Sequence, residues 1–269
     1  MTIPLLVVDA FAEKPFTGNP AAVCLLEQER SAAWMQSLAA EMKHSETAYL
    51  LPISEQRWSL RWFTPAVEVD LCGHATLASA HVLWSEDLAP AGSTITFDTR
   101  SGPLRASQND PWIELDFPAV LAETTDPPIL LEEALGCNAT YVGRNRMDYL
   151  IEVSSEQALR DLKPDFRLLG TIDVRGVIVT ARSADSRFDF VSRFFAPAAG
   201  VDEDPVTGSA HCCLAPYWQK NLDKSTMLGY QASERGGIVQ VRVERDRVFL
   251  GGQAVTILRS ELSSSVSNA

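Results

Sequence analysis

Positive charge is the scarcest commodity in this sequence. Lys and Arg number 23 against 35 Asp and Glu in 269 residues, giving a formal net charge of -12 and a pI near 4.8. A field of that sign repels phosphate backbones and anionic lipid, which argues against nucleic-acid and membrane roles. Cysteine is also sparse. The five (Cys24, Cys72, Cys137, Cys212, Cys213) are odd in number and scattered, without a CxxC spacing. That excludes a disulfide framework and a thiol redox motif. The four histidines (His44, His74, His81, His211) show no HxH or HxxxH spacing, so no metal centre is expected. The N-terminal MTIPLLVVDAFAEK has no basic start and too short an apolar run for a signal peptide. No stretch approaches the roughly 18 apolar residues of a membrane span. A reducing cytoplasm is the expected compartment. Gly-rich nucleotide fingerprints and Gly-x-Ser-x-Gly elbows are missing as well, which removes the dinucleotide-binding and serine-hydrolase readings.

What remains is an ordinary globular composition, 46% hydrophobic and 22% charged, with core enough for one large domain or two modest ones. Strands are expected at Leu5 to Phe11, Ala21 to Leu26, Thr47 to Pro52, Arg57 to Phe63, Thr94 to Asp98 and Trp112 to Phe117. Later ones fall near Thr140 to Val142, Tyr149 to Val153, Gly176 to Ala181, Phe188 to Phe195, Ile238 to Glu244 and Arg247 to Leu250. Ser31 caps a helical pattern through Met42, and Ser155 caps a short helix through Leu162. Gly236-Gly237 and Gly251-Gly252 read as hairpin turns, and the Ser-rich stretch from Ser260 to Ala269 reads as a loose tail. Many short strands with few helices indicate an α+β protein rather than a doubly wound fold.

An internal repeat organises the chain. Arg61-Trp62-Phe63-Thr64-Pro65-Ala66-Val67-Glu68-Val69-Asp70 aligns with Arg193-Phe194-Phe195-Ala196-Pro197-Ala198-Ala199-Gly200-Val201-Asp202 at an offset of 132, with six of ten positions identical. Each copy ends a strand, precedes Gly-x-Ala (Gly73-His74-Ala75; Gly208-Ser209-Ala210) and opens an apolar helix, Thr76 to Trp84 and His211 to Trp218. Those helices are apolar almost all round, the mark of enclosure on every side. Pro216 should kink or shorten the second. The expectation is two pseudo-symmetric halves, each a mixed sheet wrapped around a central helix. The first spans residues 1–116 and the second 117–269, and a last strand near 253–259 is able to return to the first half.

The two Gly-led helix starts present unpaired N–H groups and a partial positive charge, suited to a carboxylate or a developing enolate oxygen in a cleft between halves. Read alone, both glycines equally permit plain tight turns. Glu46, after a helix and before an apolar strand, is either a solvated glutamate or a carboxylate whose partial burial suits it to carbon acid-base chemistry. His74 is either a helix-start residue bonded to a carbonyl or a group that orients a carboxylate and titrates near neutrality. Asp204 serves as a turn residue before Pro205 or as an acid, and Ser209 as a helix cap or a ligand contact.

The motifs Val8-Asp9-Ala10-Phe11 through Phe16-Thr17-Gly18-Asn19-Pro20-Ala21-Ala22-Val23, Ser45-Glu46-Thr47-Ala48, Asp70-Leu71-Cys72-Gly73-His74-Ala75-Thr76 and Asp204-Pro205-Val206-Thr207-Gly208-Ser209-Ala210-His211 resemble the phenazine-biosynthesis isomerase (PhzF-like) family. That family shares the fold of diaminopimelate epimerase. The resemblance runs from Val7 to about Leu258. It implies two β-barrel halves, each around a central helix, a homodimer, and proton transfer at carbon without a cofactor. Glu46 matches the family's catalytic glutamate, His74, Asp204 and Ser209 the polar residues around it, and Gly73 and Gly208 the backbone positions flanking substrate. Diaminopimelate epimerase and its relatives instead use two facing cysteines. Here Cys72 stands in the first half, while the matching region of the second carries Asp204 and Ser209, so Cys72 is read as structural or substrate-lining. Cys212 and Cys213 lie a turn into the second helix and read as packing residues.

The leading expectation is an isomerase moving a proton between carbons of a small conjugated carboxylate. Glu46, His74 and Asp204 would be its catalytic groups, and Gly73, Gly208, Ser209 and Cys72 would bind substrate. An amino-acid epimerase or racemase using Cys72 is the second reading, and a non-catalytic metabolite-binding protein the third.

Overall fold

A computed structural model describes residues 2–267. The chain divides into two compact units, residues 1–116 with 251–269, and residues 117–250.

In the first unit, β1 (Pro4–Ala10) pairs antiparallel with β2 (Asn19–Leu25). The helix α1 (Ala32–Met42) follows, with Ser31 Oγ accepting from Trp34 N at its start and Lys43 in the left-handed region ending it. The chain then enters β3 (Glu46–Ser54), parallel to β2, and turns into the antiparallel β4 (Arg57–Phe63). After the two-residue β5 (Glu68–Val69) comes the central helix α2 (Gly73–Ser85). β6 (Ile95–Thr99) lies parallel to β4, and β7 (Gly102–Asn109) and β8 (Trp112–Pro118) continue antiparallel. From His74 to Trp84 only His81 escapes full burial, so α2 is enclosed by β1, β2 and β3 and by a strand from the far end of the chain. A second apolar layer (Leu5, Cys24, Met35, Leu38, Tyr49, Phe63) lies under α1.

The second unit begins with β9 (Glu123–Thr124) and α3 (Leu131–Leu135). β10 (Ala139–Arg144) and β11 (Asp148–Val153) form an antiparallel pair. The short helices α4 (Glu156–Arg160) and α5 (Phe166–Leu169) cross to β12 (Gly176–Arg182), parallel to β11. β13 (Phe190–Phe195) is antiparallel to β12, and the central helix α6 (Gly208–Leu222) follows. β14 (Thr226–Gln231) lies parallel to β13, and β15 (Gly237–Glu244) antiparallel to β14. β16 (Arg247–Gly252) carries the chain back to the first unit. There β17 (Ala254–Glu261) pairs antiparallel with β1, and a single turn, α7 (Ser264–Ser267), ends the described chain.

The units share one plan. In each, the pairing runs antiparallel, parallel, antiparallel, parallel, antiparallel, and the central helix connects the fourth strand to the fifth. The arginine common to the repeats has the same task in both. Arg61 forks onto Glu68 at 2.7 and 2.8 Å and stacks over Phe63, while Arg193 forks onto Glu203 at 2.8 and 2.8 Å and stacks over Phe195. Planar bidentate pairing of this kind fixes direction as well as distance.

Several expectations are corrected. The tail is anchored as far as Ser267: residues 260–261 belong to β17, Trp34 Nε1 donates to Val266 O at 3.1 Å, and Arg30 reaches the Ser267 carbonyl. Its last two residues lie outside the described range. Pro216 does not shorten α6, which continues to Leu222. Gly251 and Gly252 lie inside β16 and make no hairpin; a Cβ on Gly252 would come within 2.4 Å of Phe11 and 2.7 Å of Leu77. β7 and β14 carry too few β-branched or alternating residues to announce themselves, whereas β17 is the strand expected near 253–259. Among the described residues no helix is long and apolar enough to cross a membrane.

Candidate active site

In the first unit the parallel pairing of β2 and β3 sets Glu46 opposite Ala21, close to where Asn19 opens its own strand. The turn before Asn19 depends on Gly18, whose φ of +69° and whose absent Cβ, otherwise 2.2 Å from Ala10 O, suit glycine alone. Asp9, buried on β1, fixes the same turn by accepting from Phe16 N at 2.8 Å. Across from these strand starts, Cys72 occupies the N-cap of α2 and His74 its first turn. Cys72 O accepts from both Thr76 N and Thr76 Oγ1, closing the helix start without a side-chain cap from Cys72.

The result is a polar chain. Ser45 Oγ donates to Asn19 Oδ1 at 3.5 Å, Asn19 Nδ2 lies 3.3 Å from His74 Nδ1, and His74 Nε2 lies 3.2 Å from Glu46 Oε2. Cys72 Sγ sits 3.5 Å from His74 Nδ1 and 4.0 Å from Nε2. An amide nitrogen only donates, so Nδ1 accepts, and the imidazole proton lies on Nε2. Burial pulls the pKa of His74 down to about 3, and His44 adds to the shift. The imidazole is therefore neutral, its 3.2 Å approach to Glu46 is not an ion pair, and the expected titration near neutrality is corrected. His74 is 5% exposed and Cys72 7%, whereas the Glu46 side chain keeps 18% of its surface open. Two walls are closed and Glu46 Oε2 is buried, so only the rest of the Glu46 side chain is reachable.

In the second unit, Asp204, Gly208 and Ser209 gather at the start of α6. Asp204 Oδ2 accepts from Thr207 Oγ1 at 2.5 Å. The buried Gln231 ties this loop by accepting from Thr207 N at 2.9 Å and donating to Asp204 O at 2.7 Å. Ser209 Oγ accepts from Arg175 Nη2 at 3.1 Å, and Arg175 forks onto Asp148, which is only 1% exposed. Cys212 and Cys213 are buried, and burial pushes their thiols up to about 12 and about 11, which leaves them as packing groups.

Sequence reasoning did not single out Asn19, Ser45, Arg175, Asp148 or Gln231. Asn19 and Ser45 lie inside quoted motifs, where Asn19 reads as turn chemistry and Ser45 as the end of the preceding helix. The Asp148–Arg175–Ser209 chain has no local signature, because its members lie on β11, just before β12 and at the start of α6, far apart in sequence.

The family model described as phenazine biosynthesis-like protein matches residues 8–260. The chain belongs to that family. An uncharacterized isomerase of Halalkalibacterium halodurans is 58% identical over 263 residues, covering 97% of this chain and 99% of the relative. The crystal structure of a phenazine biosynthesis protein of the PhzF family from Enterococcus faecalis superposes with a TM-score of 0.93 at 42% identity, covering 98% of this chain and 100% of that one. A probable proline racemase from Agrobacterium radiobacter shares the fold alone, at a TM-score of 0.65 and 12% identity over 98% of this chain and 93% of that one. The α+β fold of two barrel-like halves is thus common to the phenazine biosynthesis-like proteins and the racemases. Isomerisation is the reaction class to which this member belongs.

Proposed function

We propose that this isomerase moves a proton between carbons of a small conjugated carboxylate without a cofactor, with Glu46 as the shuttle. The observation carrying the reading is the Glu46 carboxylate itself: its side chain is only 18% exposed, and one of its oxygens lies 3.2 Å from Nε2 of a histidine that burial keeps neutral. A carbon base needs a fixed lone pair and a conjugate acid that stays in place long enough to return its proton. Glu46 takes the proton from the first carbon as carboxylate, becomes the neutral acid, and delivers the same proton to the second carbon. The substrate's double bond moves, and no net charge is gained or lost. His74 directs one carboxylate oxygen through both steps and is a positioning residue. Backbone N–H groups of Gly73 and Gly208, with Ser209, are assigned to the substrate's anionic oxygens. Asp204 is assigned an acid-base role in the second unit. A cytoplasmic homodimer accompanies this reading.

Solvent deuterium incorporation into a dihydro-hydroxyanthranilate-type cyclohexadiene carboxylate tests it. Glu46→Gln should fold and lose about 10²- to 10⁴-fold in exchange rate; wild-type-like exchange in that variant overturns the assignment. The Cys72 sulfur at 3.5 Å from His74 Nδ1 favours a second reading, epimerisation at an amino-acid α-carbon with Cys72 as one acid-base group. Loss of exchange in Cys72→Ala with exchange retained in Glu46→Gln selects that alternative. Tight ligand binding without proton exchange across a substrate panel selects a metabolite-binding protein.

A further inference from the structure

The strand registers extend the internal repeat to the residues around each central helix start. Phe63 and Phe195 are equivalent positions of the repeat. Phe63 pairs with Thr47 and Thr47 with Ala22, while Phe195 pairs with Val177 and Val177 with Tyr149. Counted back from these partners, Gly176 stands where the first unit has Glu46, Arg175 where it has Ser45, and Arg146 where it has Asn19. The Gly-x-Ala helix starts set Ser209 in the place of His74. Contacts follow the same plan. In both units the second residue of the central helix meets a side chain at the start of the paired strands, His74 with Asn19 and Glu46, and Ser209 with Arg175. The second unit has thus exchanged the carboxylate of Glu46 for no side chain, and two neutral ones for guanidiniums. Asp148, in the place of Ala21, is buried and holds Arg175 in a fork through Nε and Nη2.

These arginines line a cavity of about 550 Å³ within the second unit, a size that suits a small organic molecule. Its walls include Arg144, Arg146, Arg175, Thr171 and a single carboxylate, Asp173. In a chain of net charge -12, three guanidiniums against one carboxylate reverse the prevailing sign. Arg144 is held in place, stacked over Tyr149 and donating to Asp173 O at 3.3 Å. Arg146 is exposed and pairs with no carboxylate among the described residues. We propose that this cavity is a subsite for a small molecule bearing a carboxylate or phosphate group, with Arg146 and Arg175 as the groups that bind the anion. Guanidinium suits both anions through its planar array of N–H donors. The fork onto Asp148 leaves Nη1 of Arg175 for the ligand, and the side chain is 37% exposed. Arg175 also joins the cavity to Ser209, whose Oγ accepts from Nη2 and so keeps its own proton to donate to an anionic oxygen. Only this link to Ser209 rests on the proposed function; the arginine subsite does not depend on proton transfer at Glu46.

The full chain is titrated by calorimetry with benzoate and with phenyl phosphate, at about 0.15 M salt so that loose surface attraction is screened. One saturable site per chain is expected for at least one probe. Tighter binding of phenyl phosphate supports the subsite with a phosphate-bearing ligand, and tighter binding of benzoate supports it with a carboxylate-bearing one. Affinity should fall about 10- to 100-fold in Arg146→Gln, the loss of a charge-assisted hydrogen bond. Arg175→Lys, which keeps a cation beside Asp148 but removes the planar fork, should lose affinity in the same direction. Arg187→Gln removes an exposed arginine of the same unit that pairs with Asp185 outside the cavity, and should bind as the wild type does. Failure of both probes to saturate, unchanged affinity in Arg146→Gln, or an equal loss in Arg187→Gln overturns the subsite. The wild-type titration needs no variant to fold. Calorimetry reads binding without turnover, so protein that binds a probe but exchanges no deuterium upholds the subsite and overturns the proton shuttle, and the converse overturns the subsite alone.

Discussion

The direction of one proton depends on Asn19. Its amide sets the tautomer of His74, and the tautomer decides whether Nε2 carries a proton or a lone pair 3.2 Å from Glu46. Replacing Asn19 by Ala removes the donor to Nδ1 and frees the imidazole to adopt the other tautomer. Loss of a buried hydrogen bond costs about 1–3 kcal/mol. Because the affected contact orients the base rather than the substrate, kcat should fall roughly 10- to 100-fold while KM stays within about twofold. Steady-state kinetics that show the reverse split would refute this positioning role. At this scale the sequence was only partly legible. Glu46, Cys72 and His74 stood out because each lies in a dense motif. Asn19 sat in such a motif too, but an asparagine between glycine and proline reads as turn chemistry, and its second task is visible only once β2 lies beside β3. Arg175 and Asp148 carried no readable sign, since an ion pair spanning 27 residues leaves no periodicity behind.

Among the elements, the β1–β2 turn controls the site more tightly than any helix does. Gly18 holds a left-handed backbone against Ala10 O, and Asn19 follows it directly. Gly18→Ala should therefore lower stability by about 1–3 kcal/mol, the usual cost of a strained backbone position, and should reduce turnover through displacement of Asn19. Urea midpoints and turnover measured on the same preparation check both; an unchanged midpoint would show that the turn adapts. The central helices were legible because apolar residues on every face admit only an enclosed position. Pro216 misled as a helix stop. α6 runs through it to Leu222, its length secured by packing on β14 and β15. The glycine pair before β17 misled for a related reason: Gly252 is small because Phe11 and Leu77 press against it, and its place in the strand follows from that packing.

Over the whole molecule, buried histidine makes stability depend on pH. His211 on α6 is fully enclosed; its Nδ1–H donates to Thr207 O at 2.8 Å, and among the described residues Nε2 has no hydrogen-bond partner. Protonation would bury an unpaired N–H⁺, so desolvation pulls the pKa from 6.5 to about 4. The unfolded chain then binds the proton more tightly than the folded one. Stability is fully present above pH 6.5 and declines as pH falls towards 4, by about 3 kcal/mol at most from this residue. Denaturant midpoints taken across that interval should fall, and a His211→Gln variant should show a shallower decline; parallel curves would exclude His211 as the source. The internal repeat was the clearest long-range signal in the sequence, since a shared arginine with its shared stacking partner survives where local patterns fade. The return of the chain to its first unit has a consequence for synthesis. Residues 117–250 are continuous and complete while β17, the strand that closes onto β1, is still unmade. The segment made first therefore waits, with one edge of β1 uncovered, until β17 is made, and the first unit cannot close before the second has been synthesised.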